Sequence, residues 1–147
     1  MEKILVSACL LGVCCKYDGG HNRSEAVLAF LEGKNYIPVC PERLVLPAPR
    51  PPVELRGGRV VTADGADRTA LYEKGVAETL ARLEGEPIAL AILKARSPTC
   101  GAGTVYDGTF THTRVPGDGL LARALRARGI PVWTEEDVEQ APARRDP

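Results

Sequence analysis

Three short apolar runs in this chain end at a cysteine or lead to one, and that repetition restricts the fold more than any other feature. Lys3 to Ala8 runs into Cys9, Tyr36 to Val39 into Cys40, and Ile88 to Leu93 leads through Ser97-Pro98-Thr99 to Cys100. Short apolar runs bounded by turn signals read as buried strands. Open α/β sheets bind ligands at the C-terminal ends of their strands. If the three strands are parallel neighbours, Cys9, Cys40 and Cys100 meet at one edge of the sheet.

Helical patterns alternate with these strands. Asn22 or Ser24 is placed to cap a helix over Glu25 to Leu31, which Gly33 stops. Arg68 to Leu83 carries Leu71, Val76, Leu80 and Leu83 at helical spacing, weakened by Gly75. Leu120 to Arg128 presents Leu121, Ala124 and Leu125 on one face before Gly129. Ile130 to Trp133 reads as a last strand and Thr134-Glu135-Glu136 as a helix start. The proline-rich stretch from Leu46 to Glu54 excludes a helix and predicts a stiff extended loop holding Arg50 and Glu54. Glu54–Arg56 is expected to pair with Arg59–Ala63 across Gly57-Gly58, and Thr104 to Phe110 to be extended with an Asp-Gly turn. The expected fold is a single-domain Rossmann-like α/β sandwich, with a mainly parallel sheet and helices on both faces. It should occupy residues 1–140, leaving 141–147 as a disordered tail.

Charge and apolar content exclude several classes. Nineteen Lys and Arg balance nineteen Asp and Glu, which argues against a nucleic-acid partner bound through a basic surface. No apolar run approaches the roughly 18 residues of a membrane span, and the N-terminus reads as a strand rather than a signal peptide. A cytoplasmic location is expected. The oligomeric state is left open, a homodimer being one option. Five cysteines are odd in number and contain no CxxC pair, so neither a disulfide framework nor a zinc ribbon is indicated.

The residues leave the role of the thiols open. Cys9, Cys40 and Cys100 are either buried side chains that fill space or thiolates that suit zinc or an iron–sulfur cluster. Clusters usually take four cysteines, so three would leave one metal free for a substrate. Cys14 and Cys15 are adjacent and their side chains diverge; loop packing or a resolving thiol are their two readings. Glu42, two residues past Cys40, is a candidate base for activating water or a solvated carboxylate. Ser97 either handles a proton or forms a turn with Pro98. Arg50, Glu54 and Lys94 read as an ion-pair set or as substrate contacts. Asp107 reads as a turn former and His21 and His112 as loop histidines. No phosphate-binding glycine motif is complete.

Taken together, Ser7-Ala8-Cys9-Leu10-Leu11-Gly12, Cys15-Lys16-Tyr17-Asp18-Gly19, Cys40-Pro41-Glu42, Leu46-Pro47 with Pro49-Arg50-Pro51-Pro52-Val53-Glu54, Leu93-Lys94 with Ser97-Pro98-Thr99-Cys100-Gly101, and Tyr106-Asp107-Gly108-Thr109-Phe110 resemble a bacterial family. That family was long known only as a domain of unknown function and includes the thiouracil desulfidases. The resemblance reaches to about Glu135. It implies a [4Fe–4S] cluster held by Cys9, Cys40 and Cys100, and non-redox removal of sulfur from a small thiolated substrate. Glu42 would activate water and Ser97 would assist proton transfer. Arg43-Leu44-Val45-Leu46-Pro47 departs from the small, glycine-rich residues usual in the family, which puts the pocket's shape and substrate in question. A non-catalytic sulfur or metal carrier using the same pocket is the competing reading.

Overall fold

In the computed structural model, which describes residues 2–140, the first apolar run forms β1 (Lys3–Ser7). It breaks into a 3-10 turn over Ala8–Leu11, closed by Gly12 at a φ of 95°. Helix α1 (Glu25–Leu31) starts at Ser24, whose hydroxyl accepts the Val27 N–H at 3.3 Å. Strand β2 (Tyr36–Val39) passes through Cys40 directly into the short helix α2 (Pro41–Val45). Strands β3 (Val53–Arg56) and β4 (Arg59–Thr62) form an antiparallel hairpin, followed by α3 (Thr69–Arg82) and β5 (Ile88–Leu93). A second antiparallel hairpin, β6 (Thr104–Tyr106) and β7 (Arg114–Pro116), precedes α4 (Leu120–Ala127), β8 (Val132–Thr134) and α5 (Glu135–Gln140).

The central sheet has the order β2-β1-β5-β8, and every pairing in it is parallel. Alternate residues of its strands point to opposite faces, and each face has its own helices. Leu5, Ala91 and Leu93 pack with Tyr72 and Val76 of α3 and with Leu121 and Leu125 of α4. Ile4, Val6 and Ile92 pack with Val27, Phe30 and Leu31 of α1 and with Val138 of α5. Burying each large apolar side chain contributes about 1.5–3 kcal/mol, and a parallel sheet requires this cover on both faces. The expected sandwich is the observed one. The expected tail, 141–147, lies outside the described residues. No helix among the described residues is long and apolar enough to cross a membrane.

Two elements were not anticipated. Helix α2 is too short for a periodic pattern, although Pro41 occupies a first-turn position that suits proline. Strand β7 is three residues long and is defined only by its pairing with β6. Helix α2 is seated against α3 at Gly75, where an added Cβ would lie 2.3 Å from the Pro41 carbonyl oxygen. Glycine costs a helix interior roughly 0.5–1 kcal/mol relative to alanine, yet Gly75→Ala is expected to be destabilising. The clash is with backbone, and overpacking of this kind costs about 1–3 kcal/mol. A lower urea midpoint is the expected result; a higher one would show that the α2–α3 spacing yields freely.

Candidate functional site

The C-terminal ends of β1, β2 and β5 open onto one cavity of about 540 Å³, within the roughly 300–1,000 Å³ usual for ligand sites. Cys9, Cys40 and Cys100 all line it, together with Cys15, Glu42, Arg50 and Ser97. The three segments foreseen at the sheet edge therefore do converge. They do not converge on a point: among the described residues, no three His, Cys, Asp or Glu side chains are gathered tightly enough to hold a single metal ion.

Each cysteine is fixed by its own local structure. Cys9 sits in the 3-10 turn after β1, where its carbonyl oxygen accepts the Gly12 and Asn22 N–H groups at 3.2 and 2.9 Å. Cys40 is the N-cap of α2. Cys100 lies in the turn that leaves β5 and is buried. That turn in turn caps α4. The Pro98 carbonyl accepts the Leu120 N–H at 3.0 Å and the Thr99 carbonyl accepts the Leu121 N–H at 2.7 Å. These bonds satisfy first-turn donors that a helix cannot satisfy itself, and the cap residue, Gly119, offers no side chain for the purpose.

Cys15 is the cysteine that sequence reasoning undervalued. Its neighbour Cys14 is exposed, while Cys15 is 1% exposed. The Cys40 thiol donates to the Cys15 carbonyl oxygen at 3.8 Å, and the Cys15 thiol lies beside the sulfurs of Cys9 and Cys40. Those neighbours and burial push its own pKa up. The Cys15 side chain lowers Cys9 below the usual thiol range against the opposing effect of burial, and brings Cys40 down to about 7, aided by the Arg43 backbone N–H and then by Arg50. Burial pushes Cys100 up. The only signal in the sequence was adjacency: when two neighbouring side chains diverge, one of them faces inward.

The polar residues divide by the bonds they have left. Both carboxylate oxygens of Glu42 are engaged. Oε1 accepts from Arg50 Nη2 at 3.2 Å and Nε at 3.3 Å, and Oε2 accepts from the Thr99 hydroxyl at 2.8 Å. A carboxylate offers about four lone pairs, so one on Oε2 stays free. The Ser97 oxygen accepts the Thr99 and Cys100 N–H groups at 3.2 and 3.1 Å. A hydroxyl has two lone pairs and one proton; Ser97 has its proton left to give. Glu42 thus offers an acceptor and Ser97 a donor.

Other candidates fall where their bonds place them. Lys94 pairs with Glu135 at 2.9 Å. Glu54 accepts the Gly108 and Phe110 N–H groups, both at 3.1 Å, and so carries the β6–β7 loop. Asp107 accepts the Thr109 N–H at 2.9 Å, as expected of a turn former. His21 accepts the Arg23 N–H in an exposed turn. His112 meets Tyr106 edge-on at 6.2 Å. Arg96, Phe110 and His112 adopt φ values of 64°, 59° and 59°, and all three line the cavity. Such backbone strain clusters at functional sites. Arg43 to Pro47, expected to reshape the pocket, form α2 and its exit, and none of them is among the residues lining the cavity.

Comparison with known proteins agrees with this geometry. A solved structure described as the [4Fe–4S]-dependent thiouracil desulfidase TudS (DUF523Vcz) superposes with a TM-score of 0.84 at 39% identity, over 95% of each chain. The uncharacterized protein YbbK of Bacillus subtilis (strain 168) is 38% identical over 146 residues, covering 92% of this chain and 97% of that protein. The family model for 2-thiouracil desulfurase matches residues 4–137, which include all of the sheet but Lys3 and every residue of the cavity. The chain belongs to the 2-thiouracil desulfurase family.

Proposed function

We propose that this protein is an iron–sulfur-dependent desulfidase that turns a thiolated nucleobase such as thiouracil, with one water, into the oxo base and hydrogen sulfide. The observation that carries this reading is the meeting of Cys9, Cys40 and Cys100, from three separate strand ends, with Glu42 and Ser97 around one cavity. The family and the [4Fe–4S] dependence of the solved relative support it; the carrier alternative has no such support.

The residues present fit a [4Fe–4S] cluster. The donors are soft thiols, two of them have lowered pKa values, and all three line one cavity. Cys9, Cys40 and Cys100 would hold the cluster, which when bound supplies a Lewis-acidic iron for the thiocarbonyl sulfur. The free lone pair of Glu42 Oε2 takes a proton from the water that attacks carbon. Ser97 would donate its hydroxyl proton to the reacting group. Phe110 and Tyr106 supply aromatic walls for a flat ring.

Anaerobic reconstitution with iron and sulfide should give a broad visible absorbance and release of sulfide from 2-thiouracil. A loaded protein that releases none, with either 2- or 4-thiouracil, sinks the reading. Glu42→Gln is expected to lower kcat by about 10²–10⁴-fold, the usual worth of a general base. Ser97→Ala should lower it by about 10²-fold. Iron content is measured alongside, because Ser97 also caps the Cys100 turn. A variant that keeps both its iron and its wild-type kcat removes that residue from the chemistry.

A further inference from the structure

We propose that Arg50, Glu42 and Thr99 form a buried relay that sets the spacing of the cysteine-bearing segments before any cofactor arrives. Arg50 Nη2 donates to the Cys15 carbonyl oxygen at 2.8 Å, and its backbone N–H donates to the Tyr17 carbonyl at 2.7 Å. The same guanidinium donates to Glu42, two residues past Cys40, and Glu42 accepts from Thr99, the residue before Cys100. Cys9 lies outside these bonds, in the turn that precedes the Cys15 loop. One chain of side-chain bonds therefore links the segments that carry Cys15, Cys40 and Cys100.

Burial argues for a positioning role. The Arg50 side chain is 3% exposed and that of Glu42 15%, while Thr99 is 1% exposed. Arg50 Nη1 has no hydrogen-bond partner among the described residues. An incompletely satisfied buried ion pair contributes little net stability. What it provides is selection of one arrangement of its neighbours, since any other leaves buried charge unpaired. Nothing in the relay is needed to hold the sheet, whose strands are paired independently of it. The inference depends on the desulfidase reading only in naming Cys9, Cys40 and Cys100 as ligands.

Site-resolved alkylation of the reduced, cluster-free protein by iodoacetamide tests it, with the exposed Cys14 as internal reference. Thr99→Val, which keeps shape and removes the hydroxyl, should speed Cys100 alkylation about tenfold relative to Cys14 and leave Cys15 unchanged. Thr99→Ser should restore the slow rate. Arg50→Lys keeps the charge and loses the fork; it should speed Cys15 and leave Cys100 slow. If Thr99→Val does not fold, the Arg50→Lys pattern decides. Unchanged rates, or equal acceleration at Cys15 and Cys100 as in global unfolding, overturn the proposal. Wild-type protein that takes up no iron and sulfide sinks the desulfidase reading separately, while the alkylation pattern still judges the relay.

Discussion

Replacing Cys9, Cys40 or Cys100 singly by serine is expected to abolish stable cluster uptake, whereas Cys14→Ser should leave it intact. Loss of a group that merely supports a ligand costs roughly 10–100-fold in metal affinity, and loss of one of three ligands should cost more. Serine keeps the volume of the side chain but is a harder donor, poorly matched to iron–sulfur chemistry. Cys100 is buried in the turn that caps α4, so its variant is also the one whose folding needs checking. Circular dichroism should report an unchanged sheet in all four proteins, and iron with acid-labile sulfide should separate the three from the fourth. Near-wild-type iron in any of the three overturns its assignment as a ligand. Cys15→Ser should retain part of the iron, because Cys15 lines the cavity without being one of the three candidate ligands.

Gly119→Ala should be strongly destabilising. A Cβ at Gly119 would stand 2.5 Å from the Thr99 carbonyl carbon, 2.6 Å from its oxygen and 2.9 Å from the Cys100 nitrogen. All three are backbone atoms, so no side chain can swing aside. Gly119 itself donates to the Gly101 carbonyl at 2.6 Å, so the helix start and the cysteine turn are bonded as well as in contact. Relief requires the turn to leave α4, which exposes the first-turn donors now satisfied by Pro98 and Thr99. Overpacking of a closed site costs about 1–3 kcal/mol, and each lost bond adds roughly 0.5–1.5 kcal/mol. Denaturant unfolding should show the loss, and cobound iron should fall with it. A variant with wild-type stability and iron would mean that the α4 start is softer than its contacts imply.

How much of this was legible beforehand depends on whether the cause was local. The strands ending at Cys9 and Cys40, the Ser24 cap, the hairpin at Gly57-Gly58 and α3 all follow from periodicity and turn chemistry carried by neighbouring residues. The placement of three cysteines at one sheet edge followed from strand ends plus a parallel sheet. The bonds that give the site its character were not legible. Nothing in the sequence singles out Thr99, yet its hydroxyl and its carbonyl serve two different partners. Arg50 and Glu42 are eight residues apart across prolines and gave no periodic signal. Cys15 could not be ranked above Cys14 until a fold turned one inward. Lys94 pairs with Glu135 in α5, a partner no spacing could have named.

The separation of the three cysteines along the chain has a consequence for the order of assembly. Joining them closes loops of 31 residues (40 minus 9) and 60 residues (100 minus 40). Loop-closure entropy grows only by about 0.6 kcal/mol per doubling of length, so one bound group would tie these distant segments almost as cheaply as near ones. A nascent chain that has not yet reached Cys100 possesses two of the three thiols and an incomplete sheet. With Cys9, Cys40 and Cys100 as its ligands, the cofactor would load only after most of the protein is synthesised, and would then act as a cross-link that the unfolded chain lacks. Stripping it with a chelator should lower the unfolding midpoint of the wild-type protein while leaving the midpoint of a Cys100→Ser variant where it was.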